Sequence, residues 1–330
     1  MIMLDTQINI LIQSLGAWLV PVMQFFSFLG TENIYILLFP AIYWCINPGL
    51  GIRMGIALLS TTSLNSFLKI AFHLPRPYWV DVNVIAYSAE ASFGFPSGHA
   101  QMAASVWGTL GYYFRRPWLV FLAVILILMI GISRLYLGVH FSADVLGGWL
   151  FGLIVCILVI TLDKPVSRWF AKTSNWIVFL TAAGFGLLFL ILGLVIQNNL
   201  RDWQIPASWI RLADRGGSTI SPLSLKDLFS SVGTWIGFAA GICWIRSQEK
   251  TFGKYHVDGP ASQKGWRYLL GIAGVLFLWA GLGMFFPKDE TITGLILRLV
   301  RYGLVGGWIS GLAPYVFFRS GLISPAKLIM

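Results

Sequence analysis

Residues 118–136 read WLVFLAVILILMIGISRLY, and no charged residue interrupts this stretch before Arg134 near its end. The hydrocarbon core of a bilayer is about 30 Å thick, and about 20 apolar residues in an α-helix span it. The stretch therefore predicts a membrane-spanning helix that carries a polar Ser133-Arg134 pair close to one membrane surface.

The composition of the whole chain supports the same interpretation. Of its 330 residues, 57% are hydrophobic and only 11% are charged, whereas roughly 25% are charged in an ordinary soluble domain. So few charges cannot cover the apolar surface of a soluble protein of this length. A disordered chain has the opposite composition, with few apolar residues and many charges. We therefore expect an all-α polytopic membrane protein.

Ten apolar segments are candidates for membrane spans. They cover residues 8–30, 34–46, 54–74, 97–114, 118–136, 143–162, 176–196, 232–245, 268–286 and 302–318. The second segment is short for a span, and the first is suited to lying partly in the membrane interface. The pattern predicts a six-span helical core followed by about four accessory transmembrane helices.

The basic residues predict the orientation of the chain. With ten spans both termini share one side, and this side carries 13 of the 23 Lys and Arg residues but only 4 of the 13 acidic residues. Cytoplasmic loops are rich in Lys and Arg, so we expect this side to be cytoplasmic. The basic residues stand singly between apolar runs, so the net charge of +10 does not indicate nucleic-acid binding. Residues 1–8 contain no Lys or Arg, so no cleavable signal peptide is expected.

A basic polar loop at residues 164–175 divides the chain into a predicted core (1–165) and an accessory region (166–330) of unknown role. Glycines recur every four residues in two accessory spans, at Gly233, Gly237 and Gly241 and at Gly303, Gly307 and Gly311. This spacing places them on one face of each helix, where helices pack closely, and it permits a homodimer. The long outer loop, residues 197–231, contains two tryptophans suited to the headgroup level. The three cysteines fall in apolar segments, so we expect small buried side chains.

Three polar motifs stand out against this apolar background. They are residues 69–77 (KIAFHLPRP), 96–99 (PSGH) and 133–144 (SRLYLGVHFSAD). The first ends the third predicted span, the second begins the fourth, and the last joins the fifth to the sixth. Ends of odd spans and starts of even spans lie on one side, so the three motifs are predicted to meet at the outer face.

The motifs bring three fixed positive charges to membrane depth, at Lys69, Arg76 and Arg134. Unpaired charges there are costly, so these side chains face a cavity or a partner. One carboxylate, Asp144, cannot neutralise all of them. An anionic ligand is expected, and guanidinium groups suit a phosphate. Ser97 and Gly98 begin a helix, where free N–H groups attract anions and the missing side chain allows close approach; these two residues join the predicted phosphate site.

The two histidines of the motifs supply chemistry. His140 and Asp144 are four residues apart, so the carboxylate can hold one ring nitrogen protonated and leave the other free to attack. His99, on another helix, can protonate a leaving oxygen. No second carboxylate is apparent near these motifs to hold magnesium, so neither a metal nor another cofactor is expected.

Four other ionisable residues are expected to have no part in the site. His73 stands between Lys69 and Arg76 but is not spaced to join the other polar residues of the motifs, and His256 lies in a predicted cytoplasmic loop. Asp81 and Glu90 lie in the outer loop between the first two motifs. We expect both to be solvated, with a role in shaping the site entrance as the alternative.

The motifs resemble the signature of the type 2 phosphatidic acid phosphatase (PAP2) superfamily, Lys-x6-Arg-Pro, Pro-Ser-Gly-His and Ser-Arg-x5-His-x3-Asp, at every defined position. The resemblance covers roughly residues 1–165. It implies that His140 forms a phosphohistidine, that Asp144 orients it, and that His99 is the general acid and then the base. It also implies metal-free catalysis and a phosphate held by five residues, namely Lys69, Arg76, Ser97, Gly98 and Arg134.

The sequence therefore predicts an integral-membrane phosphatase that hydrolyses a lipid phosphate or diphosphate at the non-cytoplasmic face. The expected membrane is the plasma membrane of a bacterium, or the endoplasmic reticulum if the chain is eukaryotic. Residues 76–80 (RPYWV) are similar to a segment of glucose-6-phosphatase, so a soluble sugar phosphate is an alternative substrate. A non-catalytic phospholipid carrier that uses the same cationic site is a second alternative.

Overall fold

The computed structural model describes residues 5–323, and within them every regular element is helical. Residues 1–4, which are part of the N-terminal segment 1–8, and residues 324–330 lie outside the described residues. The helices are α1 (Gln7–Gln13), α2 (Val20–Leu29), α3 (Glu32–Cys45), α4 (Pro48–Phe72), α5 (Pro77–Val80), α6 (Gly98–Phe114), α7 (Pro117–Tyr136), α8 (Ser142–Lys172), α9 (Asn175–Asn199), α10 (Ala207–Arg215), α11 (Lys226–Ser247), α12 (Glu249–Phe252), α13 (Ala261–Leu276), α14 (Leu282–Phe285), α15 (Ile292–Gly307) and α16 (Ala313–Arg319).

Seven helical segments of the described chain are long and apolar enough to cross a membrane. They are Pro48–Val80, Pro117–Tyr136, Ser142–Lys172, Asn175–Asn199, Lys226–Ser247, Ala261–Phe285 and Ile292–Arg319. Seven of the ten predicted segments fall in these helices, and the chain is an all-α membrane protein.

The remaining three predicted segments are helical but do not reach the length of a span. The first is a pair of helices, Gln7–Gln13 and Ala17–Leu29, bent by 87°. The break contains Gly16 at φ 106°, a backbone conformation that favours glycine. Helix α3 has 14 residues and α6 has 17. Counting the bent pair as one span gives eight helices that are long and apolar enough to cross a membrane, against the ten predicted segments.

The described chain forms two compact units that are each discontinuous in sequence. The first contains residues up to 34, Ser60–Ile160 and Leu192–Ser224, and it holds all three polar motifs. The second contains Tyr35–Leu59, Thr161–Ile191 and the residues from Leu225 onwards. Much of the long loop that the sequence places in the accessory region thus lies in the unit that holds the motifs. The functional division near residue 165 stays a prediction.

Close packing of α8 on α6 positions two of the motifs in the first unit. A Cβ atom at Gly148 of α8 would lie 2.6 Å from the Ser97 carbonyl oxygen, and one at Gly152 would overlap the Gln101 carbonyl. Only glycine fits at these two points. The start of α6, which carries Ser97 and Gly98, is therefore held against the first turns of α8.

The glycine faces of the second unit pack against each other. A Cβ at Gly237 of α11 would overlap the Gly303 carbonyl of α15. A Cβ at Gly241 would overlap the Ser310 hydroxyl and lie 2.9 Å from the Gly307 carbonyl oxygen. This confirms close helix packing as the role of the four-residue spacing. Since the two faces meet within one chain, they are not free for a second copy. The three cysteines are unbridged, with Cys156 and Cys243 buried and Cys45 half-buried.

Candidate active site

Arg76 is the structural centre of the site. It follows α4, its side chain is fully buried, and all of its donor groups have partners at short range. Nε donates to the Ser92 carbonyl at 2.6 Å, Nη1 to the Val139 carbonyl at 2.9 Å and Nη2 to the Phe93 carbonyl at 3.1 Å. Lys69, on the last turn of α4, donates to the Ser92 hydroxyl at 2.8 Å. Arg76 thus ties the loop before α6 to the loop between α7 and α8.

The second motif forms the N-terminus of α6. Ser97 is the N-cap residue, its hydroxyl accepts a hydrogen bond from the Ala100 N–H, and its own N–H donates to the Asp144 carbonyl at 2.9 Å. Asn65 of α4 supports this turn from behind, because its amide donates to the Pro96 carbonyl at 3.1 Å. A Cβ at Gly98 would lie 3.0 Å from Asn65 Oδ1. A side chain at position 98 would therefore also crowd Asn65, which the sequence did not indicate.

His140 is held between an acceptor and a donor. Its Nδ1 lies 3.2 Å from Asp144 Oδ2, and its Nε2 lies 3.2 Å from Arg76 Nη1. Arginine can only donate, so the contact assigns the lone pair to Nε2 and the proton to Nδ1. Asp144 Oδ2 also accepts the Phe141 N–H at 2.9 Å, and the amide of Asn9 donates to the His140 carbonyl at 2.9 Å.

The environment also keeps His140 neutral. Burial and the positive charges of Arg76 and Arg134 hold the pKa of His140 well below its usual range. Both factors disfavour an imidazolium ion. Near neutral pH the ring is therefore an uncharged imidazole with Nε2 available as a nucleophile, provided that Arg76 yields its contact to an incoming group.

Arg134 near the end of α7 is fully buried and forms an ion pair with Glu90, which the sequence predicts to lie outside the site. Its Nη2 donates to Glu90 Oε1 and its Nη1 to the Ser27 hydroxyl. The other Glu90 oxygen lies 3.9 Å from Arg76 Nη2. Burial acts to raise the pKa of Glu90, but Arg134 and Arg76 outweigh it and hold the pKa well below its usual range.

The expectation that Glu90 is solvated is therefore wrong, as is the inference that no second carboxylate lies near the motifs. The loop that carries Glu90 folds back over the cations, which attract its carboxylate. His99 completes the cluster, since its ring interacts electrostatically with Arg134, Glu90 and Lys69. The structure thus brings all eight predicted residues together with Glu90.

Three further residues that the sequence did not indicate support the cluster. The Ser92 hydroxyl accepts from both Lys69 and Arg76. Asn9 and Asn65 fix backbone carbonyls, as described above. Such residues have no periodic pattern, and Asn9 stands 131 positions from its partner His140, so no local signal identifies them.

The residues expected outside the cluster are outside it, apart from Glu90. His73 packs edge-on against Phe93 and Trp203. Asp81 accepts a hydrogen bond from the Thr6 hydroxyl at 2.6 Å, which lowers its pKa. His256, in the second unit, lies 3.4 Å from Asp258. Within residues 5–323, no group of three or more His, Cys, Asp or Glu side chains is arranged to hold a metal ion.

The arrangement suits an anion. Three cations, at Lys69, Arg76 and Arg134, face two carboxylates, and His140 presents a lone pair beside them. The amide groups at the start of α6 add partial positive charge.

Models of two known protein families match the sequence. The PAP2 superfamily matches residues 50–168, and the PAP2 superfamily phosphatase, transmembrane extension, matches residues 229–326. The chain belongs to the PAP2 superfamily. The first PAP2 match contains all three motifs, and the second covers most of α11 and the helices that follow it to α16.

Several curated proteins are similar to this PAP2 chain. Phosphatidylglycerophosphatase B of Bacillus subtilis (strain 168) is 34% identical over 131 residues, which cover 37% of this chain and 62% of that protein. Sphingosine-1-phosphate phosphatase 2 of Mus musculus is 26% identical over 197 residues, 50% of this chain and 56% of that protein. Glucose-6-phosphatase 3 of Mus musculus is 23% identical over 326 residues, 88% and 87% of the two chains. The matched part thus spans about three-fifths of the length of the first two relatives.

Proposed function

We propose that this protein is a membrane phosphatase that removes phosphate from a lipid phosphomonoester or diphosphate through a phosphohistidine at His140. The observation that carries the proposal is the pair of contacts on the His140 ring. Asp144 holds the Nδ1 proton and Arg76 marks Nε2 as the lone-pair atom, both at 3.2 Å. A neutral imidazole with a fixed tautomer is a nucleophile that needs no further activation.

The proposed reaction has two steps. First, His140 Nε2 attacks phosphorus, the bond to the leaving oxygen breaks, and His99, which enters this step as the imidazolium ion, gives that oxygen a proton. The negative charge of the bound phosphate favours the imidazolium form of His99. Second, His99 takes a proton from water as the water oxygen attacks phosphorus. The N–P bond breaks, orthophosphate leaves, and both histidines return to their starting states. The intermediate carries positive charge on the ring, which the Asp144 carboxylate stabilises.

Charge stabilisation in this scheme comes from the protein alone. Lys69, Arg76 and Arg134 neutralise the phosphoryl oxygens, and the first turn of α6, which begins at Gly98, favours an anion at its N-terminus. We therefore propose that the reaction is independent of metal, and that activity persists in excess EDTA.

We propose a lipid substrate that reaches the site at the non-cytoplasmic face. The site lies at the ends of apolar helices, and the positive-inside distribution assigns that end to the outer side. The similarity to phosphatidylglycerophosphatase B and sphingosine-1-phosphate phosphatase 2 supports a phosphorylated lipid. Membrane lipids are the expected neighbours of the site.

A soluble sugar phosphate is the second candidate substrate. Glucose-6-phosphatase 3 aligns over nearly the whole chain, whereas the lipid phosphatases named above align over half of it or less. The chemistry is the same for both classes, so substrate profiling separates them.

The test uses purified full-length protein in detergent with EDTA. Release of phosphate from phosphatidate, a prenyl diphosphate, a sphingoid phosphate and glucose 6-phosphate is compared. We expect a lipid to be preferred, and we expect His140→Ala to lower kcat more than about a thousandfold. His256→Ala is the matched control, since it removes a histidine outside the cluster. Full activity in His140→Ala would refute the nucleophile, and preference for glucose 6-phosphate would refute the lipid substrate.

A further inference from the structure

The Glu90 carboxylate lies where the proposed phosphate would be bound. One of its oxygens accepts from Arg134 Nη2 and the other is 3.9 Å from Arg76 Nη2. A carboxylate that spans two guanidinium groups makes the contacts that two phosphate oxygens make. Glu90 and a substrate therefore cannot both occupy these donors.

We propose that Glu90 is an intramolecular competitor for the phosphate site, which pairs with Arg134 and Arg76 when the site is empty and swings out when an anion enters. The inference rests on the proposed function, because it takes these cations as the phosphate-binding groups. It adds a role for a residue outside the three motifs.

The exposure of the three side chains favours motion of the carboxylate. The Glu90 side chain is 26% exposed, whereas those of Arg134 and Arg76 are 1% and 0% exposed. The carboxylate therefore has a path to solvent and the guanidinium groups do not. When Glu90 leaves, Arg76 keeps its three carbonyl partners and Arg134 keeps the Ser27 hydroxyl.

The backbone of Glu90 is anchored, so the side chain alone needs to move. The Glu90 carbonyl accepts from the hydroxyls of Tyr78 at 3.0 Å and Ser218 at 3.2 Å, and the Glu90 N–H donates to the Tyr78 hydroxyl at 3.1 Å. The next residue, Ala91, accepts the Ser221 N–H at 3.1 Å. The segment that holds Ser218 and Ser221 thus fixes the point from which the carboxylate swings.

The consequence for the reaction is easier product release. Three cations, of which Arg76 and Arg134 are buried, would bind orthophosphate tightly, and a bound product blocks the next turnover. A resident carboxylate competes with substrate and product alike, so it weakens both. Removing it is therefore expected to strengthen phosphate binding and product inhibition together.

The test measures binding of inorganic phosphate, which needs no turnover. Full-length protein in detergent with EDTA is titrated by calorimetry at pH 8. Glu90→Gln removes the charged hydrogen bond with which Glu90 competes for Arg134. We therefore expect this variant to lower the phosphate Kd by about ten- to a hundredfold. Asp202→Asn is the control, because it removes one charge from a side chain that is 93% exposed, and its Kd should stay within about twofold of the unmodified protein.

A second variant separates direct competition from net charge. Glu90→Asp keeps the charge but shortens the side chain, so its carboxylate reaches Arg134 poorly. Competition predicts a Kd between those of Glu90→Gln and the unmodified protein. An unchanged or weaker Kd in Glu90→Asp, or in a folded Glu90→Gln, would overturn the inference. If phosphate binding tightens as expected but the unmodified protein hydrolyses no phosphate ester, the competitor stands and the proposed function fails.

Discussion

Replacing Asp144 with asparagine isolates the charge that supports the His140 nucleophile. One oxygen, Oδ2, accepts both the His140 Nδ1–H and the Phe141 N–H. An asparagine whose oxygen takes that position keeps both hydrogen bonds and loses only the negative charge. The ring gains a positive charge as the N–P bond forms, at 3.2 Å from the carboxylate.

The distance between the His140 ring and the Asp144 carboxylate sets the expected loss in kcat. With an effective dielectric constant of about 20, a full charge pair at this distance interacts by about 5 kcal/mol. If about half of the charge has developed in the transition state, Asp144→Asn removes about 2.6 kcal/mol and lowers kcat roughly a hundredfold.

The assay is phosphate release from the preferred lipid in detergent with EDTA. We expect kcat to fall more than KM changes, because the Asp144 side chain bonds the His140 ring and the Phe141 N–H and its charge acts mainly on the ring that becomes positive. Asp81→Asn, which removes an aspartate outside the cluster, is the control and should retain activity. A kcat within threefold of the unmodified protein, with the fold intact by thermal unfolding, would contradict the reasoning.

Three further predictions concern residues around the nucleophile. Asn9→Leu removes the amide that donates to the carbonyls of Leu135 and His140, so we expect a loss of about 1–3 kcal/mol in the free energy of unfolding, measured by denaturation. Gly148→Ala places a Cβ 2.6 Å from the Ser97 carbonyl, and we expect a similar loss of about 1–3 kcal/mol together with reduced activity; an unchanged melting temperature would contradict the packing. Pairing lowers the pKa of Glu90 in the folded state from its usual 4.5, so its contribution to stability is present above that pH and is lost as the pH falls below it. Melting curves from pH 6 to pH 3 should therefore fall more steeply for the unmodified protein than for Glu90→Gln, and parallel curves would contradict this.

The sequence was sufficient for the fold class and for the motif residues, because both depend on local patterns. Apolar runs of about 20 residues predict spans, and the His140–Asp144 spacing of four places both side chains together at a helix start. The span-end argument then brings three distant motifs to one end of the helices. None of this needs long-range information.

Glu90 was missed because its placement depends on the folded loop. It stands 44 positions from Arg134, in a segment with no helical period, and only the path of that loop brings the carboxylate to the cations. The same holds for the segment after α9, where Trp203 packs against Phe93 beside the site. The sequence assigned that segment to the accessory region. The broken first span was missed because apolar residues on both sides hide the turn at Gly16.

Trapping of the intermediate tests the central claim most directly. The purified protein is mixed with a preferred substrate that carries ³²P in its terminal phosphate, quenched in base within one turnover, and digested. We predict an acid-labile, base-stable label on the peptide that contains His140, and no label in His140→Ala. A label on another residue, or hydrolysis at full rate with no labelled enzyme at any time, would contradict the account.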